Sequence, residues 1–264
     1  MRTTILEGIN PMRREMMEAV MRVLSQMSAR RLALPAVSVL ATIATLGGAA
    51  PAQAGLVQEM AVFADCPVNA PNVITCVYST VTSGQFTLGS KTVTINKTVT
   101  LQGGLSSASP DLVPAADGHT LSRTPLTVPG GLVGIEGLGG EVTATAELAG
   151  PVQLNGANLL KRSGTAVSLP LKVKLENPVL GEGCYVGSES EPVNPLLTTG
   201  TTSPPAPNTP ISGSVGKLEF AAGERISILP TSLVDNAFAV PGANGCGPLP
   251  LVTDPLVDAA AGIP

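Results

Sequence analysis

The sequence predicts an all-β domain, a disulfide-stapled β-sandwich of immunoglobulin-like or jelly-roll type with a short C-terminal helix. Three observations carry this reading. Apolar residues alternate with threonine or lysine at period two in several segments. Clusters of Thr, Ser, Gly and Pro separate those segments at short intervals, the punctuation of sandwiches and barrels, not of alternating strand–helix units. Four cysteines follow a segment with the order of an export signal, and an even cysteine count in an oxidising compartment reads as a disulfide framework.

The export signal comes first in the chain. Arg30 and Arg31 form a short basic region, residues 32–46 are largely apolar, and Ala52-Gln53-Ala54 places small residues at −3 and −1 of a cleavage site. The apolar run is shorter than the ~20 residues a bilayer-spanning helix requires. Retention as an anchor is the alternative. Residues 1–26 carry several methionines and are set aside with the signal, so residues 1–54 are expected to be leader and residues 55–264 a single β domain. After Gly55 acidic residues outnumber basic ones sixteen to nine, within a whole-chain net charge of −4. Nucleic acid and anionic lipid both select basic clusters, and neither is expected as a partner.

The strands follow in order. Residues 73–78 are β-branched and aromatic. Phe86-Thr87-Leu88 and Thr92-Val93-Thr94-Ile95, separated by Gly89-Ser90, read as a hairpin with a two-residue turn. Residues 98–101 continue the alternation, with Val93, Ile95, Val99 and Leu101 opposite a threonine face. Val167, Leu169, Leu171, Val173 and Leu175 alternate with Ser168, Lys172 and Lys174, and Pro170 makes this strand an edge or breaks it. Residues 141–148, 196–199, 215–220 and 225–229 are further candidates. At the C-terminus Asp254 can cap a helix, Pro255 suits its first turn and Gly262 its end. Residues 156–163 hold a second possible helical turn.

Cys66 and Cys76 are separated by nine residues, and the only histidine is His119. Neither the short spacing of a zinc site nor a C-x-x-C redox pair is present, so the cysteines are expected to be staples. Four cysteines allow three connectivities. The sequential one, Cys66 with Cys76 and Cys184 with Cys246, is expected, because turn formers lie between the first two and flank the second two.

Two loops stand out. Residues 129–140 hold six glycines but lack a phosphate-loop order and read as a flexible connection. Residues 200–210 hold four prolines and read as a stiff interstrand loop with extended backbone.

The segments ADCPVNAPNVITCVYST, SGQFTLGSKTVTINKTVTLQGGL, LSRTPLTVPGGLVGI, TATAELAG, GTAVSLPLKVKLENPVLGEGCYVGS, TTGTTSPPAPNTPISG and PGANGCGPL resemble a family of uncharacterised secreted proteins of actinobacteria. The likeness covers most of residues 73–263. It implies export and the four-cysteine pattern, and no established activity. In that family a longer segment joins the VPGGL and TATAEL motifs, and an Asn/Thr-rich tail follows the GIP-like motif. Ending at Pro264, this chain is expected to lack a final strand.

Chemistry has few candidates. One histidine excludes a His-rich metal site. Asp117-Gly118-His119 contains a base and a carboxylate, but adjacent positions seldom supply both to a triad and no G-x-S-x-G elbow is present. A surface turn is the expectation. Glu182, Glu189 and Glu191 are too dispersed for a calcium loop. Two tyrosines, four phenylalanines and no tryptophan disfavour a sugar-stacking surface. No catalytic, cofactor or metal residue is assigned. The expected function is that of a secreted, extracellular or cell-wall-associated structural or interaction protein without catalytic activity. Its expected partners are envelope components or another protein, with membrane contact only through a retained leader. The alternatives are a carrier of a small apolar ligand in a β-domain cavity and a secreted hydrolase. The leader reading predicts a mature N-terminus at Gly55, to be read by N-terminal sequencing of protein from culture medium. Recovery only in membranes with residues 32–46 retained would reverse it.

Overall fold

A computed structural model describes residues 60–131, 140–220 and 226–263. The expected leader and its expected cleavage site, most of the glycine-rich loop and Arg225 lie outside the described residues. Among the described residues antiparallel strands are the main regular structure, joined by long turns and loops. A long edge strand, β1 (Val73–Val81), pairs with β4 (Val99–Ser106), which pairs with β5 (Leu112–Pro114). Between them β2 (Gly84–Leu88) and β3 (Lys91–Ile95) form a separate hairpin. The largest sheet orders β6 (Leu126–Val128), β7 (Val142–Leu148), β10 (Leu171–Glu176), β11 (Tyr185–Val186) and β15 (Ala243–Asn244) side by side. A third group consists of β8 (Gln153–Leu154), β9 (Val167–Ser168) and β12 (Leu196–Leu197), and β13 (Lys217–Phe220) pairs with β14 (Ile226–Leu229). Helices α1 (Gly156–Lys161) and α2 (Pro250–Ala261) complete the chain. The fold is therefore all-β with two disulfides and a short C-terminal helix, as the sequence predicts.

Local chemistry explains these boundaries. In the β2–β3 hairpin Gly89 has φ +56, and a Cβ there would run into the Ala261 carbonyl, so the turn requires glycine. Val93 is buried while Thr92 and Thr94 are exposed, the predicted two-faced alternation. Pro170 has no N–H to give to a ladder, and the 167–175 run is broken there into β9 and β10. The proline-rich loop turns back at residues 206–207, so its backbone is not extended throughout. Asn208 Nδ2 donates to the Asn236 carbonyl at 2.8 Å, and Asn236 Nδ2 to that of Thr209 at 2.7 Å.

The C-terminal helix starts one turn earlier than its capping signals suggest. Pro250 occupies the first turn, Pro255 lies inside the helix, and Gly262 closes it in the left-handed region with φ +65. Asp254 therefore does not cap. Its Oδ1 accepts the Cys246 N–H at 2.7 Å and its Oδ2 the Gly245 N–H at 3.2 Å. Tertiary partners claim the carboxylate that would otherwise serve the helix end.

The core lies between layers. Leu88 and Val93 of the hairpin pack on Val128, Val142, Ala144, Val173 and Val186 of the five-stranded sheet. Phe86 stacks on Phe238 with ring centroids 5.6 Å apart. A second cluster joins Leu112 to Val152, Ala166 and Val167, flanked by Val77, Leu101 and Leu105. Each fully buried valine or leucine contributes about 1.5–3 kcal/mol of transfer free energy, so aliphatic side chains fill the role that the scarce aromatics leave open.

Cys66 is bonded to Cys76 and Cys184 to Cys246, the sequential connectivity. The second bridge is fully buried against Leu180 and Val257. The two bridges close loops of 10 and 62 residues. Chain entropy then assigns about 2.7 kcal/mol to the first and about 4.3 kcal/mol to the second. Paired Cys→Ala substitutions, measured by denaturant unfolding, should reproduce that order. A larger loss on removing Cys66–Cys76 would contradict it.

Candidate functional site

A groove of about 780 Å³ opens between the β4–β5 edge and the adjoining ends of β7 and β10. The fold builds it from three stretches and two single residues, Lys172 and Glu189. Residues 106–114 form one wall, residues 118–123 the rim, residues 147–152 the floor, and Lys172 with Glu189 the far end. Leu112 belongs to the second core cluster and anchors the wall. The Leu112 N–H donates to the Val152 carbonyl at 2.7 Å, which joins wall to floor.

Both signs of charge line this groove, and each charged group is held by another side chain. Arg123 Nε lies 4.0 Å from Glu147 Oε1, the guanidinium mostly exposed and the carboxylate mostly covered. Lys172 Nζ donates to Glu189 Oε1 at 3.2 Å and stands 5.3 Å from the centroid of the Tyr185 ring. Asp111 accepts the Ser109 hydroxyl at 2.8 Å and the Gln153 amide at 3.0 Å. Lys172 and Glu147 are cross-strand partners in the β10–β7 ladder, so strand register alone brings opposite charges together. Two positions along β10, Lys174 donates to Glu176 at 3.0 Å. That hydrogen bond, with the charge of Glu176, holds the ammonium above its ordinary value.

The DGH segment is an exposed turn at the rim. Its middle residue, Gly118, lines the groove. Asp117 Oδ1 accepts the His119 N–H at 2.8 Å, a local side-chain turn. His119 Nδ1 sits 3.0 Å from the Asp117 carbonyl. The side chain is 63% exposed. Ser109 is engaged by Asp111 and His119 by Asp117, so the serine and the histidine belong to separate hydrogen-bond sets.

The acidic trio of the 182–191 region is not drawn together. Glu189 is paired with Lys172, Glu182 is exposed in the loop before Cys184, and Glu191 is exposed. Among the described residues no group of three His, Cys, Asp or Glu side chains could hold a metal ion.

A second concavity lies beneath α2. It is lined almost wholly by aliphatic groups, including Leu88, Val93, Val142 and Ala261, with Lys91 the one charged residue. Its volume is about 50 Å³, against ~300–1,000 Å³ for ordinary ligand sites. As it stands it has room for little more than a methyl or ethyl group.

No local sequence pattern marks the groove as a site. Its parts lie far apart in the chain, and only the lysine alternation of β10 marks its far end. The chain matches no protein-family model, no curated protein and no solved structure.

The exposed, locally bonded DGH turn predicts that His119→Ala changes unfolding free energy by less than ~0.5 kcal/mol, as at ordinary surface sites. Thermal and denaturant melts measure it. A loss of several kcal/mol would give this histidine a structural role that the turn does not account for.

Proposed function

We propose that the chain is a secreted or cell-envelope-associated interaction protein without catalytic activity, and that the groove beside β5 receives its partner. The observation that carries this reading is the fixed pattern of paired charges in the groove. Arg123 pairs with Glu147 and Lys172 with Glu189, and Asp111 is held by the neutral amide of Gln153. Such a surface presents complementary charge to a partner and selects it by position.

Export is supported by the two disulfides, which persist in oxidising compartments, and by the leader-like order of residues 27–54. The likeness to uncharacterised secreted proteins of actinobacteria agrees with it. The carrier alternative draws on the cavity beneath α2, whose size counts against it.

The test is co-sedimentation of the purified protein with washed cell envelopes. Wild type should pellet with them, and the double variant Arg123→Glu/Lys172→Glu should bind about tenfold or more weakly with an unchanged melting temperature. Two results would sink the proposal. One is equal binding by both proteins or by neither. The other is turnover of ester or glycoside substrates that Glu147→Gln abolishes.

A further inference from the structure

A helix on a protein surface normally turns its polar side chains to water. Helix α2 departs from this: Val257 is buried, but its polar side chains also turn inward. Thr253, Asp254 and Asp258 are half-buried, and both carboxylates accept backbone N–H groups beneath the helix. Asp254 takes Gly245 and Cys246, and Asp258 takes Ala243 at 2.7 Å. The outward positions are Leu251, Val252, Pro255, Leu256 and Ala259, all exposed. Leu251 is 96% exposed, and Leu256 and Val252 are 63% and 59% exposed. Leu249, just before the helix, extends the patch.

We propose that this face is where two copies of the chain pair, α2 against α2 across a two-fold axis. Residues 251, 255 and 259 form one i, i+4 ridge and residues 252 and 256 the next, the relief that helices interdigitate. The small side chain of Ala259 lets a partner helix approach. No charge lies on the face, so it meets its own copy without like-charge repulsion, as a self-complementary contact demands. The four large side chains expose on the order of 100 Å² each, which places the patch among the larger ones found on monomers. Two such faces, with Pro255 and Ala259, come to about 1,000 Å², the lower bound for a specific pair. A lipid surface fits less well. Interfacial helices flank their apolar face with lysine or arginine, and residues 226–264 contain neither.

Sedimentation equilibrium of the full-length oxidised protein tests this. Wild type should form a dimer whose population rises with concentration. Leu251→Glu/Leu256→Glu should raise the dissociation constant about tenfold or more with unchanged circular dichroism. The leader is common to both proteins, so it cannot produce the difference. Pro255→Cys, at the middle of the face, should give a disulfide-linked dimer on oxidation, and Leu160→Cys on α1 should not. The proposal is overturned if wild type stays monomeric up to ~100 µM, where a specific pair of even micromolar affinity would be formed. It is also overturned if self-association survives the double substitution unchanged.

Discussion

The buried Cys184–Cys246 bridge is the constraint on which the C-terminal half of the fold depends. The ladder it accompanies is very short. β11 and β15 share only the pairs Tyr185–Asn244 and Val186–Ala243, too few to hold a strand drawn from the far end of the chain. The covalent link removes the entropy of that 62-residue closure. It also brings Cys246 and its neighbours to a fixed place, where their N–H groups await acceptors.

Those acceptors are supplied by α2, and this sets the helix's orientation. Asp254 and Asp258 reach down to the backbone around the bridge, and Val257 between them belongs to the buried cluster of Cys184 and Cys246. With the polar side chains committed to the inner side, apolar ones remain for the outer side. The inverted face is a direct consequence of how the buried backbone around Cys246 is satisfied. The same packing leaves the small apolar cavity, because alanines at 260 and 261 do not fill the space above Leu88 and Val142.

The groove depends on a different constraint, the register between β7 and β10. Six residue pairs fix it, with Val173 opposite Ala146 and Lys172 opposite Glu147. Since side chains alternate across a strand, burying Val173 on one face obliges Lys172 to emerge on the other. The charged surface is thus the reverse side of the hydrophobic core, specified by the same pattern.

Much of this was legible along the chain. Period-two alternation in residues 92–101 and 167–175 marks strands because side chains of a strand alternate between two environments whatever the partners are. Gly89, Pro170 and Gly262 act where they stand, through their own backbone geometry. The cysteines announce staples by number and by the turns around them. What tertiary structure alone decided are matters of distant neighbours. Asp254 reads locally as a helix cap, yet it is drawn to Cys246 because buried N–H groups there have the stronger claim. Two-residue strands such as β11 and β15 carry too little periodicity to be seen and exist only through pairing. The groove gathers residues from 106 to 189 whose meeting no local rule encodes. The sequence by itself determined the class of fold and the residues at its turns. The folded chain decided which charges meet and which apolar face is left outside, because both depend on partners that only long-range packing brings near.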